Sequence, residues 1–474
     1  MRKFYRHLLV ILAGVIALPG CVRFHSRPLS PEQTASAFEA RSLDNSELQQ
    51  FIAANLPQAA DPWPPAAWDF SRLTLAAYYY HPDLDLARAK WGAAQAGVKT
   101  AGGRPNPSLS LAPEYGSIPV PSPWALGLSL DLPIETAGKR GFRIAEAKNL
   151  SESARLDLAN VAWEVRSRLR ERLVEMAAAN QRQARLQEQR EIQEQIVKVL
   201  ELRLEAGEAS RPEVTLAEIA LDQVRLAEIE TRKQSAEGRV QVADALGLSV
   251  SALAGVTISW TEFESLPAAA DLVSQDVRRQ ALLNRADLLA ALAEYAASQS
   301  ALQLEIARQY PDLHLGPGYT FDQGQDKWAL GLSLELPIVN RNRGPIAEAE
   351  ARRSEAATKF TSLQARVQGE IDQAVAGYDA ALQQLQTADT LEGSHQAQVD
   401  SAQAQFERGE FDRLDLLSAQ VELAAAQLSR LDAWLKAQEA LGRLEDAIER
   451  PLGPEEKFPA VPEKNPREES EKPQ

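Results

Sequence analysis

Several residue types are scarce in this sequence, and each scarcity excludes a class of protein. The 474 residues include one cysteine, so an intrachain disulfide is impossible. There are only two methionines, and no two of the five histidines have the spacing of metal ligands. Beyond residue 20, no apolar run is long enough for a membrane helix. We therefore expect no metal site, no cofactor and no transmembrane helix beyond that point.

Basic residues are scarce relative to acidic ones. The chain has 51 lysines and arginines against 66 aspartates and glutamates, which gives a formal net charge of −15. Because phosphate neutralisation requires basic patches, nucleic acid is not expected as a partner. No nucleophile–base set, phosphate-binding loop or metal-ligand spacing is present, and this argues against an enzyme.

The first residues have the pattern of an export signal. A basic start precedes an apolar run from Leu8 to Leu18, and residues 18–21 are Leu-Pro-Gly-Cys. This pattern predicts a signal peptide over residues 1–20. Its end resembles the bacterial lipobox, which implies that Cys21 becomes a lipidated N-terminus. Val22 stands where lipoproteins of the inner membrane commonly carry Asp, and this points to the outer membrane. An uncleaved anchor with an incidental cysteine is the alternative.

A strand-like stretch occurs twice. Residues 124–134 are Trp-Ala-Leu-Gly-Leu-Ser-Leu-Asp-Leu-Pro-Ile, and residues 328–338 differ from them at one position. Large apolar residues alternate with small or polar ones, so each strand would have one apolar and one polar face. A half-buried strand of a soluble sheet shows the same alternation. A leading tryptophan and a length of about nine residues nevertheless suit a membrane strand.

The rest of the chain repeats around this pair. Residues 144–147 (Ile-Ala-Glu-Ala) return as residues 346–349, and Gly207-Glu208 returns as Gly409-Glu410. Residues 143–205 contain no proline and no glycine, which predicts a helix of roughly 95 Å. The duplication predicts two units, each with a helix, two strands, a long helix, a break and a further helix.

The predicted boundaries follow from these repeats. Residues 21–70 are a lipidated segment with a Pro-rich linker, residues 251–274 are an equatorial linker, and residues 451–474 are a disordered tail. Repeat 1 covers 71–250, with strands at about 107–117 and 123–133 and helices at 142–206 and 212–246. Repeat 2 covers 275–450, with strands at about 311–321 and 327–337 and helices at 344–408 and 413–449.

Four strands with one apolar face cannot close a membrane barrel alone, because the smallest such barrels have eight strands. An open edge in lipid would leave unpaired backbone groups that cost several kcal/mol each. Several chains must therefore share one barrel. Eight strands from two chains would have a filled interior, whereas twelve strands from three chains would leave an open lumen. The long helices are too long and too polar for a bilayer, so we expect them to continue the pore into the periplasm.

From about Ser71 to Pro451 the chain resembles a TolC-type outer membrane factor of tripartite efflux pumps. The duplicated unit carries the resemblance, together with residues 135–140 (Glu-Thr-Ala-Gly-Lys-Arg), which are similar to the turn after the second strand in that family. The lipobox is similar to that of its lipidated multidrug and heavy-metal branches. The resemblance implies an α+β membrane protein, a homotrimer whose twelve-stranded transmembrane β-barrel takes four strands per chain and continues as a long α-helical periplasmic barrel. It also implies a periplasmic adaptor protein, an inner-membrane pump and outer-membrane lipid as partners.

The resemblance further assigns the two helix breaks to the tips of the tunnel, where the family docks its adaptor. The residues matched to these tips are Gly207, Glu208, Ser210, Arg211, Glu213, Gly409, Glu410, Asp412, Arg413 and Asp415. Asp415 also matches an acidic position at the family's constriction, although Ser418 stands where a second acidic residue is common. Each break is alternatively a plain αα-hairpin, in which Gly ends a helix and Glu213 and Asp415 stabilise the next helix N-terminus.

The polar faces of the strands carry two acidic residues, Asp131 and Glu335, which we expect to make the lumen negative near its periplasmic mouth. The expected function is an outer-membrane channel that exports small molecules or metal ions. A lipid-anchored periplasmic coiled-coil protein without a pore is the alternative. Nothing in the sequence identifies the exported substrate.

Overall fold

The computed structural model describes residues 24–56, 62–117, 123–268 and 274–452. They belong to two units, one that ends at Arg41 and one that begins at Ser42. In the first unit the Ser30 hydroxyl accepts a hydrogen bond from the Gln33 amide and caps helix α1 (Pro31–Glu39). The predicted signal peptide, Cys21 and the tail beyond residue 452 lie outside the described residues.

The second unit contains the duplicated pattern of helices and strands. In the first half, its elements are α2 (Ser46–Asn55), α3 (Phe70–Tyr80), α4 (Pro82–Ala101), β1 (Ser108–Tyr115), β2 (Trp124–Ile134), α5 (Lys139–Glu205) and α6 (Arg211–Leu246). In the second half they are α7 (Gln275–Asn284), α8 (Ala286–Ala307), β3 (Leu313–Asp322), β4 (Gln325–Leu334), α9 (Arg343–Glu407) and α10 (Arg413–Ile448).

The two long helices have 67 residues in α5 and 65 residues in α9. At 1.5 Å per residue, each extends about 100 Å. Helix α5 packs against α4, α6, α8 and α10, and α9 packs against α8 and α10. Such helices are stabilised by packing along their length, because propensity alone contributes little to a helix in water.

The strand and helix ends differ from the predicted ones by at most three residues. Two helices that the sequence predicted as continuous are broken. The chain leaves helical geometry at His81, because Pro82 disfavours the α conformation in the residue before it. In the second half Arg285 has non-helical backbone angles, φ −58° and ψ 133°, between α7 and α8. Proline explains the first break. The hydrogen bonds of Arg285 to the carbonyls at the end of α10 account for the second.

Strand β4 ends at Leu334, three residues before the predicted end at 337, and begins at Gln325 rather than 327. The two-residue turn Gln323-Gly324 joins β3 directly to β4, with Gly324 at φ 82°. At the other end, Leu334 pairs with Leu313, the first residue of β3. Glu335 therefore lies just past the strand and outside the ladder.

The segment predicted as an equatorial linker forms part of the hydrophobic core. It contains two short 3₁₀ turns, and its Leu253 and Phe263 are buried. Trp68 holds it in place, since the Trp68 amide donates to the Thr257 carbonyl and the Ser259 amide donates to the Trp68 carbonyl. Apolar residues of this segment therefore belong to the core of the first half, against which Trp434 and Leu435 of α10 also pack.

The four strands form one antiparallel sheet in the order β1-β2-β3-β4. The register pairs Leu111 with Leu128, Leu128 with Tyr319, and Tyr319 with Trp328. Large apolar residues are thus placed opposite one another across the whole sheet. The alternation predicted from β2 is confirmed in all four strands.

Candidate functional site

One face of the sheet is almost entirely apolar. Its residues are Leu109, Leu111, Pro113, Tyr115, Trp124, Leu126, Leu128, Leu130, Leu132, Ile134, Leu313, Leu315, Pro317, Tyr319, Phe321, Trp328, Leu330, Leu332 and Leu334, with Asp326 beside the β3–β4 turn. Much of it is exposed in the single chain: 82% of Trp328 and 77% of Leu330 are accessible. A contiguous exposed apolar surface of this kind marks a membrane or protein contact.

Aromatic pairs lie on this face toward the hairpin turns. The ring centroids of Tyr115 and Trp124 are 4.9 Å apart, and so are those of Tyr319 and Trp328. Each pair joins neighbouring strands at opposed positions of the register. Aromatic residues at one level of a sheet are typical of the interfacial girdle of a membrane barrel.

The opposite face is polar and has small side chains. Its residues are Ser108, Ser110, Ala112, Glu114, Ala125, Gly127, Ser129, Asp131, Pro133, His314, Gly316, Gly318, Thr320, Asp322, Gln325, Lys327, Ala329, Gly331 and Ser333. The register places Asp131 on this polar face. The charged residues lie toward the two ends of the sheet, with Gly, Ala, Ser and Thr between them.

The two outer strands each have one hydrogen-bonded neighbour among the described residues. Strand β1 pairs only with β2, and β4 pairs only with β3. Their outer edges therefore present unpaired backbone N–H and C=O groups. An exposed edge beside an apolar face requires another strand, because hydrocarbon offers no hydrogen bonds to such groups.

The turn after β2 anchors the base of the sheet to the helices. The ammonium group of Lys139 is 2.8 Å from the Asp312 carboxylate and donates to the Tyr310 carbonyl at 2.7 Å. The Thr136 amide also donates to Asp312. Burial raises the pKa of Asp312, but these hydrogen bonds outweigh it and the net shift is downward. Residues 135–140, singled out in the sequence, thus connect β2, β3 and α5.

Both helix breaks are sharp turns with glycine in left-handed geometry, Gly207 at φ 76° and Gly409 at φ 75°. Each is followed by a capping box. The Ser210 amide donates to the Glu213 carboxylate at 2.6 Å, and the Asp412 amide donates to the Asp415 carboxylate at 2.9 Å. Glu213 and Asp415 therefore stabilise the starts of α6 and α10. Hydrogen bonding lowers the pKa of Glu213.

The two turns lie side by side, which the sequence could not establish. Arg203 of α5 donates to Asp412 at 2.9 Å, and Arg413 donates to Gln195 of α5 at 2.7 Å. The Arg203 guanidinium lowers the pKa of Asp412. All ten predicted tip residues are exposed. The predicted tip residues are thus brought together at one end of the helices.

Sequence reasoning missed several residues that these sites use. Arg203 and Gln195 lie in α5 among many other polar side chains, where no local signal distinguishes them. Lys139 belongs to residues 135–140, but its partner Asp312 is 173 residues away. His314 is one of the five histidines without metal-ligand spacing, yet it contacts Asp131 across the sheet.

Within the described ranges, no group of three or more His, Cys, Asp or Glu side chains could hold a metal ion. Within the same ranges, no helix combines the length and hydropathy that a membrane span requires.

The comparisons with known proteins agree with this geometry. The family model described as outer membrane efflux protein matches residues 77–248 and 277–449. The chain belongs to the outer membrane efflux protein family. The two matched stretches correspond to the two repeats, so the duplication is a property of the family fold. This efflux protein is therefore a channel subunit and not an enzyme.

One relative and two solved structures are similar to this efflux protein. The cobalt-zinc-cadmium resistance protein CzcC of Cupriavidus metallidurans is 26% identical over 74% of this chain and 82% of its own. VceC of Vibrio cholerae superposes with a TM-score of 0.66 at 20% identity, over 80% of this chain and 95% of its own. The CmeC outer membrane channel of Campylobacter jejuni gives 0.66 at 17% identity, over 80% and 85%. These two structures share the fold.

Members of the family form trimeric channels within tripartite efflux systems. The protein described here is an outer membrane efflux channel whose helices extend into the periplasm. The four strands and the pairs of long helices in each chain are the parts from which such a channel is assembled.

Proposed function

We propose that three copies of this chain close one twelve-stranded barrel, with β4 of each copy pairing with β1 of the next. The observation that carries this proposal is a sheet with a continuous apolar face and two unpaired edges. Closure removes both edges, places the apolar face against lipid and leaves the small polar residues around an open lumen. Helices α5 and α9, with the shorter helices packed on them, then continue the lumen as a periplasmic tunnel.

The paired helical turns are the proposed docking site for a periplasmic adaptor protein, which links the tunnel to an inner-membrane pump. The ion pair between Arg203 and Asp412 and the exposed Glu208, Arg211 and Glu410 support this role, because they present a fixed charge pattern at one end. Asp415 contributes to the constriction with its remaining carboxylate oxygen. Loss of adaptor cross-linking in Glu208→Arg/Glu410→Arg would be expected, and undiminished cross-linking would refute the site.

Lipidation of Cys21 is the proposed means by which each chain is held at the outer membrane. Two or three acyl chains bind effectively permanently at about 0.8 kcal/mol per buried methylene. The Leu-Pro-Gly-Cys sequence supports this proposal. A mass spectrum of the N-terminal peptide of the exported protein tests it, since an unmodified cysteine excludes the anchor.

Divalent metal cations are the proposed cargo, supported by the likeness to CzcC, a cobalt-zinc-cadmium resistance protein. The acidic composition of the chain is compatible with passage of cations. The cargo proposal predicts that deleting the gene sensitises the host to such cations. Unchanged tolerance of these cations would contradict the proposed cargo and favour other small molecules.

The pore is tested with the full acylated protein. We expect a heat-sensitive trimer in detergent and discrete conductance steps in planar lipid bilayers. A monomer that never conducts would favour a periplasmic coiled-coil protein without a pore.

A further inference from the structure

The charges on the polar face of the sheet divide into two groups. Near the hairpin turns, Lys327 is paired with Asp322 at 2.8 Å, and Glu114 lies on the same face of β1. At the helix-proximal end, the charged or titratable side chains in the described strands are Asp131 and His314. This end of the lumen therefore depends on two side chains from each chain.

Asp131 and His314 contact each other across β2 and β3. The His314 Nδ1 atom lies 3.0 Å and 3.1 Å from the two carboxylate oxygens of Asp131. In the register His314 opposes Pro133, so it approaches Asp131 diagonally. Both side chains stay accessible, at 40% for His314 and 47% for Asp131. They are therefore paired and in contact with the lumenal solvent.

Two of the other acidic side chains near His314 are paired with basic ones. Asp312, two residues before it, is bound to Lys139 of α5 at 2.8 Å. Glu135 is bound to Arg143. On β4 the residue opposite His314 is Ser333, which has no charge, and Glu335 lies past the ladder. Among the strand residues at this level of the sheet, the charge is thus set by Asp131 and by the protonation of His314.

We propose that Asp131 and His314 set the ion selectivity of the barrel, and that protonation of His314 reduces its preference for cations. This inference rests on the proposed trimeric pore. With a neutral imidazole each pair carries one negative charge, and with imidazolium it carries none. Imidazole is the side chain that changes charge between about pH 5 and pH 8. A ring of charged side chains in a pore sets which ions enter.

The test measures reversal potentials of the full acylated channel in planar bilayers under a KCl gradient at about pH 8 and about pH 5. We expect wild-type pores to prefer K⁺ over Cl⁻ at the higher pH. At the lower pH the ratio of K⁺ to Cl⁻ permeability should fall at least about twofold. In His314→Gln the preference persists at both values. In Asp131→Asn the preference for K⁺ should be weak at the higher pH, and the pore should prefer anions at the lower pH.

The matched control is Lys327→Gln, on the same face at the other end. Neither lysine nor glutamine titrates in this range, so this variant should change selectivity without removing the pH dependence. If His314→Gln pores keep the wild-type dependence on pH, the inference is overturned while the pore stands. Wild-type pores whose selectivity does not change with pH would overturn it as well. Absence of any conductance overturns the proposed channel itself.

Discussion

At the scale of single residues, α8 and α10 cap each other. The Arg285 guanidinium donates to the Ala447 carbonyl at 2.6 Å, which satisfies the C-terminal end of α10. In return the Glu449 carboxylate accepts the Ala286 amide at 2.5 Å, at the N-terminal end of α8. Helix ends leave such groups without internal partners, so this exchange joins the end of the second repeat to its beginning. It also explains why the chain breaks at Arg285.

Glu449 makes this contact dependent on pH. Burial raises its pKa to about 7, opposed by the Ala286 hydrogen bond and by Arg285 and reinforced by Asp287 and Glu164. Between about pH 4.5 and about pH 7, the native state therefore holds a proton that the unfolded chain has released. Stability contributed by the protonated form is full at low pH and is lost as pH rises toward 7.

We predict that Glu449→Gln flattens this dependence. The amide keeps an oxygen acceptor for Ala286 and carries no buried charge, so the variant should be more stable than wild type above about pH 7, by about 1–3 kcal/mol. The measurement is the apparent melting temperature in detergent between about pH 5 and pH 8. Glu410→Gln, at an exposed turn, is the control and should follow wild type. Identical profiles for wild type and Glu449→Gln would contradict the prediction.

At the scale of elements, the end of α6 is fixed by a close approach to the junction of α3 and α4. Gly247 is left-handed at φ 71°, and its amide and that of Leu248 satisfy the last carbonyls of the helix. A Cβ at Gly247 would lie 2.8 Å from the Tyr80 carbonyl oxygen and 2.9 Å from the His81 Cα. Backbone atoms cannot move aside as a flexible side chain does. Only glycine therefore allows α6 to end against this junction.

Gly247→Ala is predicted to destabilise the protein by more than about 2 kcal/mol, since positive φ costs about 1–2 kcal/mol and the backbone clash adds to it. Gly255→Ala is a matched control: Gly255 has φ 76°, but a Cβ there meets nothing within 4 Å. It should lose only about 1 kcal/mol. Melting temperatures and trimer yields of both variants test this, and equal losses would show that the contact with Tyr80 is unimportant.

At the scale of the whole molecule, the sheet decides where each side chain meets lipid or water. Neighbouring residues of β4 illustrate this division, because Leu330 lies on the apolar face and Ala329 on the polar face. The exposed residues of the described helices are mainly charged or polar, apart from a row of apolar residues on α6 at Leu216, Ile219, Leu226 and Ile229. Insertion into the membrane is therefore a property of one face of the sheet.

Leu330→Arg is predicted to prevent stable insertion, because arginine on the lipid face costs about 2–4 kcal/mol per chain near the bilayer midplane. Ala329→Arg places the same side chain one residue away in the lumen and should insert, with a smaller conductance. Membrane fractionation and bilayer recordings compare the two variants. Equal insertion would mean that the apolar face does not contact lipid.

The sequence determined the parts of this protein that depend on local periodicity. Alternation in residues 124–134 and its recurrence predicted the two-faced strands. Uninterrupted helix formers predicted α5, and the internal repeat predicted α9, each within a few residues. Gly207 and Gly409 marked the turns because glycine tolerates left-handed geometry. A strand period of two and a helix without breakers are written in consecutive residues, so no tertiary contact is required to recognise them.

Tertiary structure alone decided which distant residues meet. His314 joins Asp131, Lys139 joins Asp312 and Arg203 joins Asp412, at separations of 183, 173 and 209 residues. It also placed Glu335 outside the ladder and brought the supposed linker into the core. These results depend on strand register and helix packing, which are set by the summed burial of many side chains rather than by any local pattern.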